Sequence, residues 1–256
     1  MKIINNSVVL LLTTFLLASC VDTSRSFSVM TFNIRHGIGM DKVLDLERTA
    51  RLIDAADPDI VILNEVDQGT ARSFGVFQTD SLGKLLGMNA IFGRSIDYDG
   101  GEYGNALLSK YDVIEFRIID LSTDSLLEGR SIFISMLDMG SDTLIVMGTH
   151  LGLKPDERQL QIEHIMDVLP NSQRLILAGD FNFEPGSEPF NRVVSKFSDS
   201  AGDKPEDTFP ADDPEKRIDY IFYGAGLELK ERSGFEHPDL NRASDHRPVI
   251  MRFTLK

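Results

Sequence analysis

Leu175-Ile176-Leu177-Ala178-Gly179-Asp180-Phe181-Asn182 is the stretch whose reading decides the architecture of this chain. Four apolar residues run straight into a glycine, an acid and an amide. A short apolar run closed by glycine has the length of a buried strand. The acid and the amide therefore stand at its exit. Residues two apart along a strand share a face, which predicts Asp180 and Asn182 side by side. A carboxylate and a carboxamide held together can position a water molecule or a hard metal ion.

The same ending recurs along the chain. Phe27–Phe32 leads to Asn33, Ile60–Leu63 to Asn64-Glu65, and Thr143–Met147 through Gly148-Thr149 to His150. Asp219 stands at the start of Ile218–Tyr223, and Ser244-Asp245-His246 precedes Val249–Phe253. Ala106–Leu108, Val113–Ile119 and Ile132–Leu137 are further runs rich in β-branched and aromatic residues, the composition of strands. Helical spacing occupies Val43–Ala56, closed by Asp57-Pro58, and Pro155–Leu169, which opens on proline and acids as helix starts do. Ser81–Leu86 is a third candidate. About nine strands with few helices is too strand-rich for a simple doubly wound sheet. A two-sheet core with helices outside fits better. The residue types at the strand ends are mostly acids, amides and histidines. Such oxygen ligands suit Mg²⁺ or Ca²⁺, and histidines beside acids suit proton transfer.

The chain has 256 residues, 42% of them hydrophobic, and a formal net charge of −14. That charge disfavours tight non-specific binding to nucleic acid. Lys2 is followed by the apolar run Val8–Leu17 and by Leu17-Ala18-Ser19-Cys20. This is the pattern of a signal peptide, and the run is short for a membrane span. The tetrapeptide resembles a bacterial lipobox. The expectation is a signal peptide over 1–19, lipidation of Cys20, a polar tether over 20–26 and one domain over 27–256. Cys20 is the only cysteine, so the domain can have no internal disulfide and must rest on its core. The expected location is outside the cytoplasm, held to a membrane of the cell envelope through the N-terminal lipid.

Seven motifs in order resemble the endonuclease/exonuclease/phosphatase superfamily. They are Thr31-Phe32-Asn33-Ile34-Arg35, Asn64-Glu65-Val66-Asp67, Tyr103-Gly104-Asn105-Ala106, Thr149-His150-Leu151, Gly179-Asp180-Phe181-Asn182, Arg217-Ile218-Asp219-Tyr220 and Ser244-Asp245-His246-Arg247-Pro248. The resemblance implies a DNase I-like α/β fold. This is a four-layer sandwich of two packed mixed β-sheets flanked by helices. It implies a metal site at Glu65, with Asn33 close by and Asp245 contributing, for Mg²⁺ or alternatively Mn²⁺ or Ca²⁺. Asp180, helped by Asn182, would orient or deprotonate the attacking water. His246 would stabilise the transition state, with Asp219 behind it. His150 would touch phosphate or protonate the leaving oxygen. Arg130, Tyr103 and Asn105 would contact phosphate.

Bland readings stand beside these. Tyr103 and Asn105 adjoin three glycines and equally suit a turn. Asp219 could pair with Arg217. His36 could reach the site or cap a turn. His164 reads as packing on a helix, and His237 as a loop residue. The stretches between motifs are acidic or mixed: Asp97–Glu102, Asp120–Glu128 and Asp203–Glu215. Together with the lipobox they favour a monomeric hydrolase of small, glycan or lipid-linked phosphodiesters. A secreted nuclease is the alternative within the class. A non-catalytic ligand-binding lipoprotein is the alternative outside it, and no expected catalytic residue is missing to support that reading.

Overall fold

The computed structural model describes residues 26–256 except 204, 233 and 234. The expected signal peptide, Cys20 and all of the tether but Ser26 lie outside the described residues. Strand β1 (Ser26–Asn33) is buried at every position after Ser26. Its side chains alternate between two cores. Phe27 and Val29 face one apolar cluster, and Met30 and Phe32 another. β2 (Ile60–Gln68) repeats the division, with Ile60 and Ile62 in the first cluster and Val61 and Leu63 in the second. A strand covered on both faces reads as a continuous apolar run, which is why these segments were legible.

β1 and β2 pair in parallel, so a crossover must join them. Helix α1 (Leu46–Ala56) supplies it. The Asp45 carboxylate caps its start by accepting from the Arg48 N–H at 2.8 Å. Asp57, with φ of 46°, ends it ahead of Pro58. α1 covers the outer face together with α2 (Gln78–Leu86), burying Leu52, Ile53 and Leu82 against Val61 and Leu63. The remaining strands of this sheet are β3 (Asn89–Tyr98), β4 (Gly101–Ser109), β11 (Leu227–Arg232) and β12 (Val249–Leu255). The order is β11-β12-β1-β2-β4-β3.

The second sheet is built the same way. β7 (Thr143–His150) and β8 (Leu175–Asp180) pair in parallel around α3 (Pro155–Asp167). β5 (Val113–Asp120), β6 (Ser131–Asp138), β9 (Ser198–Asp199) and β10 (Asp219–Tyr223) complete it. Its order is β5-β6-β7-β8-β10-β9. Ile176 and Ala178 face the first sheet, and with Phe133, Val146 and Ile221 of their own sheet and Met251 of the first they fill the layer between the sheets. Leu175 and Leu177 face outward onto Ile162 and Ile165 of α3 and Val193 of α4 (Glu188–Val194). The result is four layers: helices, sheet, sheet, helices. It is the sandwich that the residue pattern predicts.

Twelve strands are present among the described residues rather than about nine. β3, β9, β11 and α4 add to the elements the sequence predicts, and α1 starts at Leu46 rather than Val43. Gly101 begins β4, so Tyr103 and Asn105 lie within a strand and not in a turn. His164 is exposed, a correction to its reading as a packing residue, and Leu160 on the same helix is exposed as well. Among the described residues no helix is long and apolar enough to cross a membrane.

Candidate active site

Register places the candidate residues abreast. In the parallel pair β7–β8 the last partners are His150 and Asp180. In the antiparallel pair β8–β10, Asp180 faces Asp219. The other sheet ends its parallel pair with Asn33 opposite Asn64. Both crossovers thus deliver their polar strand ends to one end of the sandwich, opposite the end where β1 begins.

Local structure turns each side chain toward that point. Gly179 has φ of 143°, and a Cβ there would lie 1.9 Å from the Thr149 carbonyl oxygen. Only glycine lets β8 approach β7 so closely. Phe181 is buried edge-on against Tyr220 and Phe222, with ring centroids 5.7 and 5.2 Å away. That anchor leaves Asp180 and Asn182 to face the other way. Glu65 sits at a register shift between Leu63 and Val66, with φ of 56°. Arg35, His36 and Asn182 also adopt left-handed backbone conformations. Such conformations in non-glycine residues are strained and collect at functional sites.

Asn33 ties the two sheets together. Its Nδ2 donates to Glu65 Oε1 and Asp180 Oδ2, both at 3.0 Å, while its Oδ1 accepts from the Arg35 N–H. Asp180 Oδ2 also lies 3.4 Å from His150 Nε2 and 3.7 Å from His246 Nε2. Asp180 Oδ1 accepts from the Asn182 N–H at 3.0 Å, and Asn182 Nδ2 donates to the Leu151 carbonyl. His246 Nδ1 is 2.8 Å from Asp219 Oδ2, which also accepts from Thr208 Oγ1 at 2.6 Å. The His246 ring packs on Phe209 with centroids 4.9 Å apart. Arg217 pairs with Asp199 and leaves Asp219 to His246. Arg130 pairs with Glu128 and reaches His150 Nδ1 at 3.5 Å. Asp245 is half-buried and lies 3.5 Å from Arg35 Nε. His36 Nδ1 lies 3.9 Å from Glu65 Oε2, so His36 reaches the site. His237 stacks on Phe235, away from these contacts.

Burial and charge set the protonation of these groups. Burial pushes Glu65 up, but the close approach of His36, the hydrogen bond from Asn33 and the nearby histidines outweigh it and hold the carboxyl at about 2. Burial and the neighbouring Asp219 charge push Asp180 up to about 7, against the pull of His246. Burial lowers His246, but Asp219, Asp180 and Asp245 raise it to about 10. Burial and the Arg130 cation hold His150 well below its ordinary value, hence neutral. Glu65 is therefore an ionised oxygen donor and His246 a cation, with Asp180 poised between charged and neutral.

The donor set fits a hard divalent cation. Glu65 offers an ionised carboxylate at the cleft wall, and Asp245 lines the same cleft. Asn33 as placed presents nitrogen, not oxygen, to Glu65. Asp180, Asp219 and His246 also stand close enough to hold an ion. His246 Nδ1, however, is already engaged by Asp219, so that trio works better as a proton relay than as a cage.

Three residues without an expected role belong to the site. Asn64 is fully buried. Its Nδ2 donates to Asn105 Oδ1 at 2.7 Å and to the Thr149 carbonyl at 2.9 Å, and its Oδ1 accepts from the Asp180 N–H at 2.9 Å. Asn105 is thus one step removed from the cleft, while Tyr103 and Arg130 line it. Thr208 positions Asp219, and Arg72 enters the cleft wall from the loop after β2. Asn64 lies inside the motif Asn64-Glu65-Val66-Asp67. Nothing local in the sequence marks Thr208 or Arg72.

Two stacked mixed sheets with acids, amides and histidines converging at one end define the DNase I-like α/β sandwich. The chain belongs to the endonuclease/exonuclease/phosphatase family, whose sequence profile matches residues 30–246. It is 26% identical over 245 residues to the uncharacterized protein YbhP of Escherichia coli K12, across 88% of this chain and 94% of that one. A family structure from Bacteroides vulgatus superposes with a TM-score of 0.74 at 21% identity, over 91% of this chain and all (100%) of that one. The mannosyl-6-phosphatase of Bacteroides thetaiotaomicron superposes with a TM-score of 0.69 at 21% identity, over 89% and 99%. The family is one of hydrolytic phosphoesterases.

Proposed function

We propose that this protein is a divalent-metal-dependent hydrolase that cleaves a phosphate ester, with Mg²⁺ as the ion and a small phosphodiester as the substrate. The observation that carries this reading is the buried chain Thr208–Asp219–His246–Asp180, with both acids and the histidine within hydrogen-bond or ion-pair distance. Glu65 and Asp245 would hold the ion, which supplies charge neutralisation at the phosphoryl oxygens. Asp180 accepts the proton of the attacking water, and the Asn182 and Asn33 contacts aim its carboxylate. His246, kept cationic by Asp219, offers Nε2 to a phosphoryl oxygen and opposes the charge that builds in the transition state. His150 is neutral and buried, which suits a hydrogen-bond donor to phosphate rather than a proton source. Arg130 holds it from behind.

The sequence supports export and lipidation at Cys20, and the reading places the enzyme in the cell envelope. Labelling with a fatty acid, lost in Cys20→Ser, tests that part. A hydrolysis panel tests the chemistry: bis(p-nitrophenyl) phosphate, duplex DNA, a choline phospholipid and glycerophosphodiesters, each with Mg²⁺ or with EDTA. The expectation is turnover of small diesters, weak cutting of DNA and none in EDTA. Full activity in EDTA would remove the metal from the mechanism.

A further inference from the structure

The cleft, about 650 Å³, extends beyond the relay to a wall formed by Ile96, Tyr98, Tyr103 and Arg72. Arg72 is held there in a manner that leaves one edge unused. Its Nε and Nη2 donate side-on to Asp67 at 2.8 and 2.7 Å. Asp67 is fully buried and also accepts from Thr70 Oγ1 at 2.7 Å and from Ser73 Oγ. The guanidinium carbon lies 4.4 Å from the Tyr98 ring centroid and 5.3 Å from that of Tyr103. The Arg72 N–H donates to Asp99 Oδ2 at 2.7 Å.

A long side chain that ordinarily samples many rotamers is thereby fixed before any ligand arrives. A guanidinium carries five N–H donors, and Asp67 takes one from Nε and one from Nη2. Among the described residues no hydrogen bond from Nη1 is formed. A brace for the loop after β2 would account for the Asp67 contact. It does not account for an arginine that lines the catalytic cleft part-exposed, packed on two tyrosine rings and with Nη1 left without a hydrogen bond.

The geometry points to Arg72 as a specificity-determining residue that receives a second anionic group of the substrate, a phosphate or carboxylate remote from the scissile ester. This rests on the phosphoesterase reading and narrows it to esters of multiply charged alcohols. Asp67 offsets the long-range field of Arg72, so the gain comes from a short charge-assisted hydrogen bond, worth about tenfold in affinity.

Calorimetric binding separates the two readings because it needs no turnover. The protein carries Asp180→Asn to prevent hydrolysis and is saturated with Mg²⁺. The ligands are glycerol 3-phosphate, glycerol 1,3-bisphosphate and 3-phosphoglycerate. The two dianchored ligands should bind about tenfold tighter than glycerol 3-phosphate. Adding Arg72→Ala should erase that difference, and Arg72→Lys should retain part of it. Equal affinities for all three ligands overturn the proposal. So does a difference that survives Arg72→Ala, or an equal weakening of all three. If Arg72→Ala melts early, the ligand comparison in the Asp180→Asn and Arg72→Lys proteins decides alone. Failure of the unsubstituted protein to hydrolyse any ester sinks the phosphoesterase reading but leaves the affinity difference standing as evidence for the anion subsite.

Discussion

β1–α1–β2 in one sheet and β7–α3–β8 in the other are the same device, two parallel strands joined over a helix, yet the acids they deliver are treated in opposite ways. Glu65, from the first, is held at about 2 because His36, Asn33 and two nearby histidines overcome its burial. Asp180, from the second, rises to about 7 because burial and Asp219 prevail over the donors that reach it. Asn33 donates equally to both at 3.0 Å, so the shared amide is not the cause. The difference lies in the neighbours: His36 beside one carboxylate, a second acid beside the other. Two acids whose environments push them apart can divide the work. One stays a permanent anion for a cation, and the other can gain and lose a proton.

The largest test is to remove the second acid's function. Asp180→Asn or His246→Ala should lower kcat about a thousandfold with little change in KM, because both act on the transition state. An effect confined to KM contradicts the division. Glu65→Gln should cost less, about a hundredfold, and more Mg²⁺ should restore part of it. If added metal restores nothing, Glu65 is not the anchor. Titration tests the contrast directly. kcat/KM should rise as pH passes through about 7, where Asp180 ionises, and fall towards about 10, where His246 loses its proton. A profile without the acid limb removes Asp180 as the base. Thr208→Val should reduce kcat about tenfold and bring the alkaline limb to lower pH, since Asp219 loses a positioning donor. Asn64→Ala should act on stability instead. It removes three buried hydrogen bonds, to Asp180 N–H, the Thr149 carbonyl and Asn105 Oδ1, which costs ~2 kcal/mol and appears as an earlier melting transition.

The two halves were also unequally legible. β1, β2, β7 and β8 are sandwiched between layers, so their apolar runs announce them and the polar residue at each exit stands out. β11 (Leu-Glu-Leu-Lys-Glu-Arg) is an edge strand whose charges resemble a loop, the form edges take to avoid pairing with other chains. β3 is interrupted by Gly93, Arg94 and Ser95 and is only part-buried. Asp180, Glu65 and His246 could be picked out because acids and histidines are conspicuous at strand ends. Asn64 bonds to residues 41, 85 and 116 positions away. No local pattern encodes that. Arg72 gains its meaning from Asp67, Tyr98 and Tyr103, which meet only when the β3–β4 hairpin folds back along β2.

β1 starts at Ser26 and ends at Asn33, and the cleft lies at the Asn33 end. Seven strand steps separate the two, ~23 Å of rigid backbone. An enzyme moored by its N-terminus would therefore present its back to the mooring and its mouth to the open fluid. A tether over 20–26 held at Cys20 would reach ~20 Å at full stretch, a little less than the length of β1 itself. Such an enzyme would graze on what drifts past and leave its own bed untouched.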